Sequence, residues 1–118
     1  MKIKLVSVIV NDPVEAHKRY TEVFGFVSTM FMPEAMLAIV ASPEDEGGVQ
    51  LLLEPNDNPI AKEFQTKIYE AGLPVIIFEP EDIQAEYERL KGLGVPFKGA
   101  LEANEYGTQA IFEDGCGN

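Results

Sequence analysis

The 118-residue sequence predicts an α+β domain in which one β-α-β-β-β unit is used twice, with the last strand of the second copy missing. Three observations predict it. Ala16, Phe24 and Gly25 recur as Ala85, Leu93 and Gly94 at one constant offset. Each stretch follows a short apolar run, residues 3–10 and residues 74–78. Further short runs of strand character follow each stretch in turn. A unit used only twice gives two half-domains packed together, since a solenoid needs three or more. Packing two halves leaves a cleft between them, and such clefts commonly take ligands.

Taken in order, residues 3–10 are apolar and β-branched, as a buried strand requires. Asn11 or Asp12 caps the next helix, with Pro13 in its first position. That helix runs to about Phe24, with Ala16, Tyr20, Val23 and Phe24 on one face, and Gly25 ends it. Residues 26–32 form a strand, Pro33 and Glu34 a turn, and residues 36–41 its return. The polar tract 42–48 is a loop, and residues 49–53 close the first unit as a strand. A turn-rich linker, residues 54–59, leads to a short helix over 60–70 that stops at Gly72. The second unit opens with a strand at 74–78. Asp82 caps a helix with Ile83, Tyr87 and Leu90 on one face, and Gly94 ends it. Strands follow at 95–101 and 108–113, and residues 114–118 read as a turn. The second unit is therefore one strand short. Residues 108–113 would be left as an unpaired edge, so about 8–10 further residues are expected after Asn118.

Size indicates one domain over residues 1–118, with a first module at about 1–55 and a second at about 73–118. No apolar run approaches the roughly 20 residues of a membrane span, and residues 1–4 lead straight into a strand, so a cytoplasmic protein is expected. A single cysteine, Cys116, excludes an internal disulfide framework. Nine basic residues against twenty acidic ones give a net charge of −11. The basic residues are scattered, which argues against a nucleic-acid partner. The acidic field attracts a cationic small molecule.

Several markers recur in a familiar order. They are Val10-Asn11-Asp12, Ala16, the run from Tyr20 to Phe26, the run from Val49 to Pro55, Asp82-Ile83 with Leu90, and the terminal Asp114-Gly115-Cys116-Gly117-Asn118. In this order and spacing the chain resembles the vicinal oxygen chelate superfamily, which includes glyoxalase I, bleomycin-resistance proteins and extradiol dioxygenases. The resemblance spans essentially the whole chain. It implies the glyoxalase/bleomycin-resistance fold, two tandem βαβββ modules forming a cupped mixed sheet around a cavity, and a homodimer. Metal-using members place His or Glu ligands on inner strand positions. The matching positions here hold Leu5, Gln50 and Val75, and the fourth falls on the missing strand. Leu and Val cannot ligate, and Gln offers one neutral oxygen, so neither metal nor cofactor is expected.

Strand alternation extends the inferred cavity. Leu5, Ser7 and Ile9 share one side of the first strand, Gln50, Leu52 and Glu54 one side of the fourth, and Val75, Ile77 and Glu79 one side of the fifth. These nine are the candidate ligand-binding residues. They give an apolar base, two polar points and two carboxylates, suited to an apolar or cationic organic ligand. The bland reading makes the same apolar residues plain core and leaves the cavity filled. His17 is the only histidine and lacks a second to partner it; it reads as a partly exposed helix residue. Cys116 has no basic neighbour in sequence to activate it. Residues 43–46 read as a solvated loop, and Met30, Met32 and Met36 as core filling. The expected function is therefore a metal-free small-molecule-binding protein that sequesters or senses its ligand. The alternative is a lyase or dioxygenase-like enzyme with a displaced metal site built from Glu54, Glu79 and a carboxylate of the missing strand.

Overall fold

A computed structural model describes residues 1–118. The chain is a mixed α+β fold, and its first half forms a complete β-α-β-β-β unit. β1 (Leu5–Val10) is followed by α1 (Pro13–Glu22), β2 (Val27–Met32), a single 3₁₀ turn (Pro33–Ala35), β3 (Leu37–Ala41) and β4 (Gln50–Pro55). The sheet order is β1-β4-β3-β2. β4 runs parallel to β1 and antiparallel to β3, and β3 runs antiparallel to β2. Capping explains where α1 begins: the Asp12 carboxylate accepts from Val14 N at 2.8 Å, and Pro13 stands at the first helical position. It ends just before Gly25, whose φ of +79° only glycine adopts without strain.

α1 covers one face of this sheet. Ala16 and Tyr20 from the helix pack on Val8, Val10, Ala38, Val40, Leu51 and Leu53, all buried. Residues one step along each strand point to the other face, which no helix of the first half covers. In β2 an extra residue, Thr29, breaks the register between Ser28 and Met30 as a bulge. Its hydroxyl reaches Gln50 Oε1 at 2.6 Å.

Beyond β4 come α2 (Pro59–Glu70), α3 (Ile83–Gly92) and a two-stranded ribbon, β5 (Glu102–Asn104) with β6 (Gly107–Gln109). Here the structure corrects three expectations. Residues 74–78 belong to no ladder, and the chain bends at Val75. The strand expected at 95–101 is replaced by the isolated bridge of Phe97 to Phe112 and by β5 further on. The strand expected at 108–113 is regular only in β6. The common cause is pairing. β1 is a strand because β4 bonds to it, and no segment of residues 1–118 does the same for residues 74–78.

Aromatic rings join the halves. Ile76 and Phe78 pack against the first-half core. Phe26 meets Phe78 at 5.4 Å between centroids, and Phe24 meets Phe112 at 5.4 Å. Phe97 extends the chain of rings from Phe112 to Tyr87 at 5.6 and 4.7 Å. Such pairs contribute about 0.5–1.5 kcal/mol each beyond their buried area.

The terminal turn is sealed onto the same core. The buried Asp114 accepts from Tyr20 Oη at 2.8 Å, Cys116 N at 2.7 Å and Asn118 N at 3.0 Å. Asn11 N donates to Cys116 O at 2.9 Å, and Asn118 Nδ2 to Ile9 O at 2.8 Å. The two flanking glycines are required by the backbone, with φ of +75° at Gly115 and +103° at Gly117, and neighbouring side chains crowd both. A Cβ at Gly115 would stand 2.8 Å from Arg19 Nε, and one at Gly117 would stand 2.7 Å from Asn11 Oδ1.

Candidate functional site

The uncovered face of β1 and β4 carries most of the candidate residues. Parallel register sets Leu5 beside Gln50, Ser7 beside Leu52 and Ile9 beside Glu54. Six of the nine candidate residues thus form three adjacent pairs on one face. The alternating burial of β4 has the same origin: Leu51 and Leu53 are buried under α1, while Gln50, Leu52 and Glu54 are only partly covered.

α2 turns part of this face into a hollow. Asn58 caps the helix by accepting from Ile60 N at 2.8 Å, and Pro59 occupies its first turn. Ile60, Phe64 and Ile68, spaced i, i+4 and i+8, form one apolar stripe. The stripe walls a hollow of about 850 Å³ whose floor includes Ser7, Ile9 and Glu54 and whose far end includes Val75. Four of the nine candidates therefore meet in one hollow. Leu5, Gln50 and Leu52 continue the same face outside it. Phe64 and Ile60 remain 55% and 79% exposed, so this wall is apolar surface left open rather than core.

The hollow is acidic. Glu54 and Asp57 line it, and no lysine or arginine does. The molecule's two ion pairs, Lys67–Glu63 and Arg89–Glu86, involve neither carboxylate. Ile77 and Glu79 go elsewhere. Ile77 is 90% exposed, and both border a separate hollow of about 440 Å³ beside Phe24 and Phe26. Glu54 and Glu79 thus line different hollows. Residues 74–78 are not laddered to β1 or β4, so alternation along them does not carry across.

Sequence reasoning missed two anchoring residues. Gln65, 4% exposed, ties α2 to the sheet end: Nε2 donates to Ile9 O at 3.2 Å and Oε1 accepts from Asn56 Nδ2 at 2.9 Å. A glutamine one turn from Ala61 and close to Ile68 on an apolar stripe was the available signal. Asp114 is the other, hidden within a turn composition.

The remaining reactive groups are held quiet. His17 Nε2 lies 2.9 Å from Ser28 Oγ, and its ring stacks on Phe31 at 3.9 Å. Burial first, and the neighbouring Asp114 charge second, push the Cys116 thiol up to about 12. Burial likewise pushes the Tyr20 hydroxyl well above its ordinary range, with Asp114 adding to the effect.

The donor set does not fit a family metal. Leu5 and Val75 have no donor atoms, and the Gln50 oxygen is already engaged by Thr29. No three His, Cys, Asp or Glu side chains converge anywhere in the molecule.

This architecture defines a class of protein. Residues 2–118 match the family model of the Glyoxalase/Bleomycin resistance protein/Dioxygenase superfamily, and the chain belongs to that superfamily. Among curated relatives it is 44% identical to YurT of Bacillus subtilis (strain 168), an uncharacterized protein, over all of this chain and 94% of that one. It is 33% identical to YetH of the same strain, also uncharacterized, over 99% and 92%. Among solved structures it is similar to UcmS2, with a TM-score of 0.81 at 29% identity over all of this chain and 93% of that one. It is also similar to TnmS3, an antibiotic binding protein from Streptomyces sp. CB03234, with a TM-score of 0.76 at 25% identity over 100% and 90%.

Proposed function

We propose that the protein is a metal-free binder of a small organic ligand, which it sequesters or senses in the hollow between the β1/β4 face and α2. One observation carries this reading: an open apolar helix stripe faces two carboxylates that have no cationic partner inside the molecule. Apolar hollows with a few convergent polar groups are the usual form of small-molecule sites. An apolar or aromatic body lies on Ile60, Phe64 and Ile68, and a cationic group sits toward Glu54 and Asp57. Ser7 offers a hydroxyl on the floor, and Leu5, Gln50 and Leu52 extend the binding face for a longer ligand. Val75 closes the far end, and Ile77 and Glu79 contribute only to a ligand that reaches past it. The similarity to TnmS3, an antibiotic binding protein, supports a binding role over a catalytic one. The displaced metal site is not favoured, because Glu54 and Glu79 border different hollows. We place the working form as a cytoplasmic homodimer.

The test is a thermal-shift panel of matched cationic, neutral and anionic aromatic compounds. Cationic members are expected to raise Tm most, and the doubly substituted Glu54→Gln/Asp57→Asn protein to lose that preference. Equal shifts for anionic members, or an unchanged preference in the double variant, would sink the reading.

A further inference from the structure

The bulge in β2 has a chemical consequence on the β1/β4 face. Thr29 is the extra residue, where the register of β2 with β3 slips between Ser28 and Met30. Met30 stands opposite Ile39, Ile39 opposite Leu52, and Leu52 beside Ser7. One uncovered face therefore runs across all four strands. The slip lets two sequence neighbours, Thr29 and Met30, both serve that face, where strict alternation would turn one of them away. From there Thr29 reaches past β3, which separates β2 from β4, and meets the Gln50 side chain.

The direction of that contact decides which end of the amide a ligand meets. Thr29 Oγ1 carries one proton and has two acceptors in reach, Gln50 Oε1 at 2.6 Å and Ile39 O at 3.2 Å. The shorter separation is that of a hydroxyl on an oxygen, whereas an amide N–H donor stands at about 2.9–3.0 Å. The proton therefore belongs to the Gln50 bond. The amide oxygen is held by the protein, and Nε2 on the other side of the same carbon keeps two N–H donors that no atom of the molecule accepts. Beside it Leu5 is 43% exposed and offers only apolar surface. A ligand atom covering this spot strips water from the amide, so one that cannot accept a hydrogen bond is penalised. Glu54 stands four residues further along β4, roughly 13 Å away at the usual strand rise.

We infer that Thr29 is a positioning residue that fixes Gln50 as a hydrogen-bond donor. The ligand accordingly presents a neutral acceptor oxygen, a ketone or amide carbonyl, roughly 13 Å from its cationic group. This rests on the reading of the hollow proposed above and adds the far end of the ligand to it. Leu52 lies between the two polar ends and carries the apolar body. A charged oxygen is disfavoured by the same acidic field that attracts the cation.

Two probes separate the cases: biphenylmethylammonium with a para acetyl group on its far ring, and the same cation with isopropenyl, in which a methylene replaces the ketone oxygen. In calorimetry the native protein is expected to bind the acetyl compound about tenfold tighter. Thr29→Val keeps the shape and loses the hydroxyl, and is expected to reduce that ratio to about twofold or less. Thr29→Ser is expected to keep the ratio, and Gln50→Leu to abolish it. A purely structural role for Thr29 would lower both affinities together and leave their ratio unchanged. In heteronuclear NMR the Gln50 side-chain amide signals are expected to move with the acetyl compound and to stay in place with the isopropenyl one. Equal binding of the two probes by the native protein overturns the inference and leaves the hollow as a site. A ratio that survives Thr29→Val overturns it too. Failure of both probes to bind overturns the hollow itself, and this inference with it.

Discussion

At the scale of single residues, Asp114 is the position on which the end of the fold depends. Its carboxylate holds Tyr20, Cys116 and Asn118 together while itself 5% exposed. Tyr20→Phe removes one donor to a buried charge, and is expected to cost about 1.5–3 kcal/mol in urea unfolding. A loss below half that figure would mean that water reaches the carboxylate. Cys116 gives a pH-dependent counterpart. Its folded thiol is pushed up to about 12, above the ordinary 8.5 or so of a free cysteine. The raised value favours the neutral thiol in the fold. This contribution to stability is complete below the unfolded value and is lost as pH rises from there toward 12. Replacing the thiol by Cys116→Ser removes the titration. The stability difference between the native protein and that variant is therefore expected to shrink between pH 9 and 11. A difference constant over that range contradicts the burial argument. Iodoacetamide at pH 8 is expected to alkylate Cys116 far faster in urea than in the folded protein.

At the scale of elements, α2 does two jobs with different faces. Gln65 anchors it and the stripe of Ile60, Phe64 and Ile68 stays open. The two jobs separate by substitution. Phe64→Ala changes a half-exposed side chain, so stability is expected to move by less than about 1 kcal/mol. Affinity for an aromatic ligand is expected to fall about tenfold, the loss of roughly 1.4 kcal/mol of apolar contact. Gln65→Leu does the reverse in part: it strips a donor from Ile9 O and lowers Tm. Unchanged affinity in Phe64→Ala, measured by calorimetry, would remove α2 from the site. β2 is the other element with an unsettled face. Val27, Met30 and Met32 on this edge strand are each 43–45% exposed. Such an edge is covered by pairing or association in most proteins.

At the scale of the whole molecule, charge and assembly set the remaining expectations. A net charge of −11 surrounds the acidic hollow with a field of the same sign. Affinity for a cationic ligand is expected to fall as salt rises through the range where the Debye length shrinks from about 30 to 8 Å. Salt-independent binding would confine recognition to apolar contact. The proposed homodimer predicts a light-scattering mass twice the 13.0 kDa of the chain. A mass of one chain at micromolar concentration excludes it. Elemental analysis is expected to find no stoichiometric Zn, Ni, Mn or Fe, because Leu5, Gln50 and Val75 cannot supply a donor set. About one such ion per chain would place a metal site on residues other than these.

Local chemistry was enough to read much of this protein. Asp12-Pro13 and Asp82 mark helix starts because capping is decided within a turn of chain. Gly25 and Gly94 mark helix ends because positive φ is a property of one residue. Alternation set Leu5, Ser7 and Ile9 on one side of their strand, and Gln50, Leu52 and Glu54 on one side of theirs, because side-chain direction in a laddered strand has period two. Tertiary structure alone decided the rest. Whether residues 74–78 count as a strand depends on a partner, and alternation says nothing about partners. The same dependence sent Ile77 and Glu79 away from Glu54. The α2 wall and the roles of Gln65 and Asp114 come from contacts across 51 to 95 positions of sequence. No local pattern encodes contacts at that separation; they exist only once the core has fixed which faces meet.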